Sequence, residues 1–388
     1  MKNNYGTRRN QETIKLIAQA KVFSSLADSL VGIFIPAFML VIGYSLKDIL
    51  LFMVFYSFVM VLNNFSTYIF NKKFGTRYSL FIGYLFQTIL YIVLALNLDS
   101  QLRLLVMAIC SGMVDGFLWS TRHFIVSIST NDKSHSKQLS KLSLIVSYMN
   151  IVGMLSTSII SKFFNPLILP WVAAISTIIS ALIVLKIKNF KIQEKLSINT
   201  IKKSVKLKEG LANLSFNIFA MGYMEIFSLY IFIKVNSLPS IASITLLASL
   251  VDIIINKIIG SSGDKGDNKK ILKSGSILVV LSGTLLYLAQ SIPLIIIINT
   301  LKSRLTNLVT TPWQALYYAK VKKQNLPYIT TLGLELFGDS GRFIFMVILY
   351  FLNLHFGASV MFITAFILGG IATIPLNLMP DYIHTDKN

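Results

Sequence analysis

Cysteine is nearly missing: Cys110 stands alone inside an apolar run, which excludes an intramolecular disulfide and any cysteine-based metal site. Histidine is scarce too, and His123, His135, His355 and His384 are too far apart to suggest a zinc constellation. Acidic residues number 16 against 36 Lys and Arg, and all charged residues together make up 13% of the sequence. That leaves too little polar surface to coat a water-soluble globule of 388 residues. The Arg8-Arg9 pair is followed by no short apolar stretch with a small-residue cleavage site, so the first apolar segment is expected to be retained. The Gly-rich stretch GSSGDKGDNKK lacks the order of a phosphate-binding P-loop. Gly338-Asp339-Ser340-Gly341 matches a serine-protease tetrad, but it lies inside an apolar run with no suitable histidine. No enzyme activity, cofactor or metal is expected.

What remains is hydrophobic: 54% of residues, with a mean hydropathy of +0.68. About twelve apolar runs, each near the ~20 residues that cross ~30 Å of hydrocarbon, fall at 22–44, 49–70, 79–98, 102–124, 142–163, 166–187, 211–233, 239–259, 274–292, 293–316, 329–353 and 357–379. The runs are continuous rather than alternating, so they predict transmembrane helices and not a barrel. The net charge of +20 sits mainly in the spacers, as an orientation signal rather than a nucleic-acid surface. Lys and Arg crowd the spacers that share a side with the amino terminus, whereas Lys47, Arg103, Lys162 and Lys234 are alone on the other. Both termini are therefore expected in the cytoplasm of a cell-membrane protein. A rival count merges 275–298 into one span, leaves Lys302 and Arg304 outside, and places Lys320, Lys322 and Lys323 against the charge rule.

The longest spacer, KIKNFKIQEKLSINTIKKSVKLKEG, has no core of its own and is expected to be a solvated linker leaning on anionic headgroups. It divides the chain into residues 1–187, a basic cytoplasmic linker at 188–210, and residues 211–388, six spans on each side. The halves resemble each other: LNNFSTYIFNKKFGTRYSL (Leu62–Leu80) and IINKIIGSSGDKGDNKKIL (Ile254–Leu272) align without gaps, with Asn64 on Asn256.

These aligned segments resemble the turn after spans two and eight of the major facilitator superfamily, Gly-x-x-x-Asp-Arg/Lys-x-Gly-x-Arg/Lys-Arg/Lys. The second copy supplies Gly260, Asp264, Lys265, Lys269 and Lys270, with Asp267 where a Gly is expected. The first keeps Lys73, Gly75 and Arg77, but has Tyr68 and Lys72 where Gly and Asp belong. The resemblance implies two pseudo-symmetric six-helix bundles, a site at mid-membrane between them, and a cytoplasmic gate at these turns whose carboxylate meets basic partners and a helix amino terminus. Lys72 reverses the charge of the first turn and shifts that weight to Asp264, with Asp252 as a structural partner nearby. The Gly-Pro of span five in drug/proton antiporters is missing, and Ala108 stands four residues before Gly112 where span four of such antiporters carries Arg.

Charges inside spans are Asp28, Asp115, Arg122, Glu225, Asp252, Lys257, Lys302, Arg304, Glu335, Asp339 and Arg342, with none in the interiors of spans three, six, nine and twelve. An ionisable group at bilayer depth costs roughly 2.5–3.5 kcal/mol unless it faces a partner or water, so this segregation predicts a wet cavity. The resemblance implies that spans one, four, seven and ten line that cavity. Asp28, Asp115 and Glu225 have no cation three or four residues away, which makes them the candidate proton carriers. Glu335, Asp339 and Arg342 share one helical face; Asp339 and Arg342 form a candidate pair, and Glu335 and Asp339 are candidates to exchange ion-pair partners. Lys302 and Arg304 point to opposite sides, so one faces the cavity and the other is expected to meet Glu335 or Asp339. Lys257 is placed to snorkel, and Arg122 lies between cavity and headgroups. The expected function is secondary transport by alternating access, as a monomer in the bilayer, with proton-coupled export of an amphipathic or drug-like small molecule. The alternatives are proton-coupled uptake of an organic anion, with Lys302 or Arg304 as the contact, and a non-transporting membrane sensor or assembly partner.

Overall fold

In hydrocarbon a long apolar stretch can satisfy its backbone only by coiling on itself, and the described chain is helical throughout with no strand. The computed structural model describes residues 7–32, 35–96, 98–129, 135–262 and 268–381, with the backbone path alone at 7–11, 135–143 and 251–262. Before the linker run α1 (Thr7–Leu30), α2 (Ile35–Val41), α3 (Leu46–Lys73), α4 (Thr76–Ala95), α5 (Ser100–Val114), a π-helical turn (Asp115–Ser120), α6 (Thr121–Ser129), α7 (His135–Phe163) and α8 (Ile168–Val184). After it come α9 (Ile198–Ser204), α10 (Leu207–Phe219), a second π-helical turn (Ala220–Glu225), α11 (Ile226–Val235), α12 (Leu238–Ser262), α13 (Asn268–Leu286), α14 (Ile292–Lys323) and α15 (Pro327–Ile371).

Among the described residues eight stretches are long and apolar enough to cross a membrane, and Ile168–Val184 and Leu238–Leu250 are shorter apolar helices. The two apolar runs at 329–353 and 357–379 fall largely on α15, which is broken at Gly357, where φ is +83°. Because α13 stops at Leu286 and α14 starts at Ile292, residues 275–298 do not form one helix, and Lys302 and Arg304 lie well inside α14. Local chemistry sets several ends. Ser45 and Asp48 form a capping box at α3, Asp99 accepts from the N–H groups of Gln101 and Leu102 at α5, and prolines occupy the first turns of α14 and α15.

Small residues set how closely helices approach, as expected where lipid offers no hydrophobic drive for helix association. A Cβ on Gly112 would meet Val59 of α3 at 2.5 Å and one on Gly116 would meet Asn63 at 2.3 Å, while Gly338 and Gly341 of α15 bring it against Asn217 and Leu214 of α10. Asn63 fastens the first contact by donating to the carbonyls of Gly112 and Met113, and Asn213 the second by donating to that of Leu334 at 2.6 Å. Segments before and after the linker meet where α3 packs on α15, α7 on α12, and α6 on α14. The outer faces carry exposed Phe58, Ile69, Ile175, Leu182, Leu281 and Phe351, an apolar jacket suited to acyl chains.

The linker departs from the solvated reading. Ile187, Phe190, Ile192 and Val205 are buried. The Thr76 N–H donates to the Phe190 carbonyl, the Asn189 amide donates to the Phe74 carbonyl, and Tyr68 OH bridges by donating to the Glu194 carbonyl and accepting from the Leu196 N–H. The segment escapes a sequence reading because its apolar residues are too few to pack alone; Asn189 and Phe190 are tied to the α3–α4 turn and Val205 lies against α15 instead. Lys320, which the sequence assigns to a spacer, is also buried, paired with Glu209 at 3.0 Å.

Candidate functional site

The helices before and after the linker enclose a cavity of about 710 Å³. α1, α3, the Asp115–Ser120 turn, α10, the Ala220–Glu225 turn, α14 and α15 all contribute, and so does α4 through Gln87, Leu90 and Tyr91, although α4 is the third span, which is not among those the resemblance implies as lining. No lining residue comes from α8, α13 or the part of α15 beyond Gly357. Among the described residues Asp28, Asp115, Glu225, Glu335 and Asp339 line it, together with the cations Lys21, Lys302 and Arg342. Trp119, Trp313, Tyr56, Tyr91, Phe52 and Phe216 supply aromatic wall.

Three polar contacts cross the cavity between the two parts of the chain. Arg342 faces Asp115 at 3.8 Å and donates to Asn217 Oδ1 at 3.1 Å. Asn64 donates to Asp339 at 2.6 Å, and Tyr56 OH donates to Glu225 at 3.2 Å. Glu335 accepts from Tyr317 OH at 2.5 Å. Among the described residues neither Glu225 nor Glu335 has a cation within ion-pair distance. The π-helical turns shape this arrangement, since Asp115 opens one and Glu225 closes the other; a widened turn re-aims the side chains at its ends and is common at functional sites.

Several expectations are corrected. Asp28 has no cation three or four residues away, but α1 begins well before residue 22 and brings Lys21, seven residues earlier on the same face, to 3.4 Å. Asp28 also accepts from Gln87 at 2.8 Å and Tyr91 OH at 3.2 Å. Arg342 makes its ion pair with Asp115 rather than with Asp339, and Asp339 is held by an amide; the side chains stacked on one face of α15 reach across to different helices. Glu335 holds a tyrosine and no ion-pair partner. Lys302 lines the cavity with its Nζ 5.2 Å from the Phe227 ring centroid, whereas Arg304 is exposed and meets neither Glu335 nor Asp339. Arg122 stacks over Trp119 at 3.8 Å, and Lys21 lies 5.5 Å from the same ring.

Of the expected gate residues, Gly75 adopts φ +95° at the start of α4, Lys73 lies over Phe74, and Arg77 lies over Tyr78 and donates its backbone N–H to Asn189. Lys269 donates to the Asn377 carbonyl at 2.8 Å, and Lys270 is exposed. Asp264 and Lys265 lie outside the described residues, and Asp252, Lys257 and Gly260 are described only as backbone of α12. The end of the bundle carrying the linker is closed by Asn71, which donates to Tyr328 OH at 2.8 Å, and by the rings of Tyr68 and Phe124 against Tyr328. His123 packs there against Tyr317 and Tyr318. In the linker, Glu194 takes the N–H groups of Tyr328 and Ile329 at 3.2 and 2.8 Å. Burial raises its carboxyl above the ordinary value, and the two N–H groups oppose that rise.

The sequence model described as Major Facilitator Superfamily matches residues 18–298. The chain belongs to the major facilitator superfamily. Its fold is shared with solved members at low sequence identity. The human organic anion transporter MFSD10 (TETRAN) has 15% identity and a TM-score of 0.69, with 96% of this chain and 99% of that one covered. A bacterial homologue of the iron transporter ferroportin, in an outward-facing state, has 10% identity and a TM-score of 0.66, covering 95% and 98%. The E. coli fucose:proton symporter FucP has 12% identity and a TM-score of 0.71, covering 95% and 98%. No curated protein matches the chain by sequence. This superfamily member is thus a multi-pass membrane protein with the transporter fold, and its cavity lies where its two parts meet.

Proposed function

We propose that the chain is a proton-coupled exporter of amphipathic small molecules bearing a positive charge, working by alternating access. It would act as a monomer in the cell membrane with both termini in the cytoplasm. The observation that carries this reading is the pair Glu225 and Glu335, cavity carboxylates that, among the described residues, are held by tyrosine hydroxyls and by no ion-pair partner. A carboxylate bound to Arg stays ionised, whereas one facing a hydroxyl in a cavity can exchange its proton with a passing cation or with water. Among the described residues five carboxylates and three cations line the cavity, which supports a positive solute, and the aromatic wall suits its apolar part. The contacts Asn64–Asp339, Asp115–Arg342 and Tyr56–Glu225 are those that two rocking bundles, residues 1–187 and 211–388, would break and remake.

A second reading, proton-coupled uptake of an organic anion, draws support from Lys302 on the cavity wall. Purified protein in lipid vesicles with an imposed pH gradient separates the two. Ethidium accumulating against its gradient, driven by protons moving the other way, is the expected result. Gradient-driven accumulation of benzoate with no ethidium flux overturns the export reading. No flux of either probe, with no proton movement, favours a sensor or assembly role.

A further inference from the structure

The first gate turn departs from the superfamily pattern at two positions, Tyr68 and Lys72, and the structure ties the first of these to the linker. Tyr68 OH takes the Leu196 N–H at 3.1 Å and gives its own proton to the Glu194 carbonyl at 2.9 Å, holding residues 194–196 like a buckle. A Tyr is needed for this, because a Gly has no hydroxyl. The extended segment just before it is sewn to the same turn by Asn189 and by the reciprocal contact in which Phe190 N–H donates to Thr76 Oγ1. Gly75 has no room for a side chain there, since a Cβ would lie 2.1 Å from Asn189 Oδ1. So fixed, Glu194 delivers its carboxylate to the first turn of α15, on the far side of the seam, where it accepts from two successive backbone N–H groups. A negative group at that end meets the positive end of the helix dipole as well as unpaired donors.

We infer that Glu194 is the latch of the linker end. It is a positioning residue supplied by the linker, occupying the role that the carboxylate of the first turn would have held had Lys72 been acidic. Tyr68 is its mount on the first bundle, and the amino terminus of α15 is its keeper on the second. A latch carried on the linker also explains why so basic a segment is tied down rather than left in water. The linker helix α9 supports the same keeper, since its Ile201 and the Val205 that follows it lie against Gly333 of α15, with a Cβ there only 3.2 and 3.0 Å from them. This inference rests on the alternating-access reading, and opening of the linker end is the step that the latch opposes.

The test uses the full chain in lipid vesicles with Cys110→Ser as background and one reporter cysteine at a time. Thr331→Cys reports the linker end, being 1% exposed in the first turns of α15, and Thr245→Cys reports the cavity from α12. Glu194→Gln keeps shape but loses the charge, and Tyr68→Phe keeps the ring but loses the buckle. Each is expected to raise maleimide labelling at residue 331 by about three- to tenfold while lowering it at residue 245. A rise at both reporters would mean general loosening and would overturn the latch, as would unchanged labelling at both. Labelling that shifts as expected in a protein that moves neither ethidium nor benzoate would keep the latch and sink the transport reading. Proton-driven ethidium flux with unmoved labelling would do the reverse.

Discussion

At the scale of single residues, the cavity separates carboxylates by what they touch. Asp115 faces a guanidinium and Asp28 an ammonium, while Glu225 and Glu335 accept from tyrosine hydroxyls and, among the described residues, meet no cation at ion-pair distance. Glu225→Gln and Glu335→Gln are therefore expected to lose accumulation driven by a pH gradient while keeping exchange of labelled for unlabelled probe at equal pH. Flux assays in vesicles with and without the gradient check this; a variant that still accumulates probe shows that its glutamate does not carry the coupling proton. Arg342→Met should act differently. It strands Asp115 and the Asn217 carbonyl oxygen at a partly buried cavity wall, so the melting temperature in detergent should fall. Asp115→Asn in the same background should recover part of that loss, because the stranded charge is gone; no recovery would mean that the 3.8 Å contact carries little energy.

How much of the site was legible follows from the kind of signal each residue gives. A charge inside an apolar run stands out by its cost, and Asp115, Glu225, Glu335, Asp339, Arg342 and Lys302 all line the cavity. Tyr56, Tyr91 and Tyr317 do not stand out, because an aromatic residue in a membrane helix is ordinary, and only the neighbour reveals the hydroxyl's task. Asn64 and Gln87 carried a fainter signal as amides in apolar runs, which are costly to bury without partners, and Asn64 turns out to hold Asp339. Lys21 was legible in principle, being seven residues before Asp28, but a hydropathy boundary at residue 22 set it outside the span.

At the scale of elements, hydropathy located the helices, since their period and length are local properties, while what bends or fastens them is not local. The π-helical turns at Asp115 and Ala220 and the tied linker depend on packing between segments far apart in sequence. Two glycines in the left-handed region offer a controlled comparison. Gly43, at φ +98°, has nothing within 4 Å of a Cβ, whereas Gly75, at φ +95°, would drive one into Asn189. Gly43→Ala should cost only the backbone strain, about 1–2 kcal/mol. Gly75→Ala should add the loss of the Asn189 contacts, free the linker, and raise the rate of tryptic cleavage among Lys188, Lys191 and Lys195 well above that of Gly43→Ala. Equal cleavage rates in the two variants would show that the linker is not held by this turn.

At the scale of the whole molecule, the linker end is closed along α3 and α15, and at the other end α7 touches α12, where Ser158 and Ser243 hydroxyls lie 3.3 Å apart. Both ends are thus in contact along different helix pairs, as in a molecule between two openings. If the bundles rock, the Ser158–Ser243 contact must part once in each cycle, and a covalent tie there must stop net movement without touching the cavity. The two short side chains that meet at 3.3 Å are the natural positions for such a tie. Ser158→Cys with Ser243→Cys, in a Cys110→Ser background, is expected to cross-link on mild oxidation, to abolish vesicle flux, and to regain it on reduction. Flux that continues through fully cross-linked protein would mean that this end never opens, and the cavity would then have to fill and empty through the linker side alone.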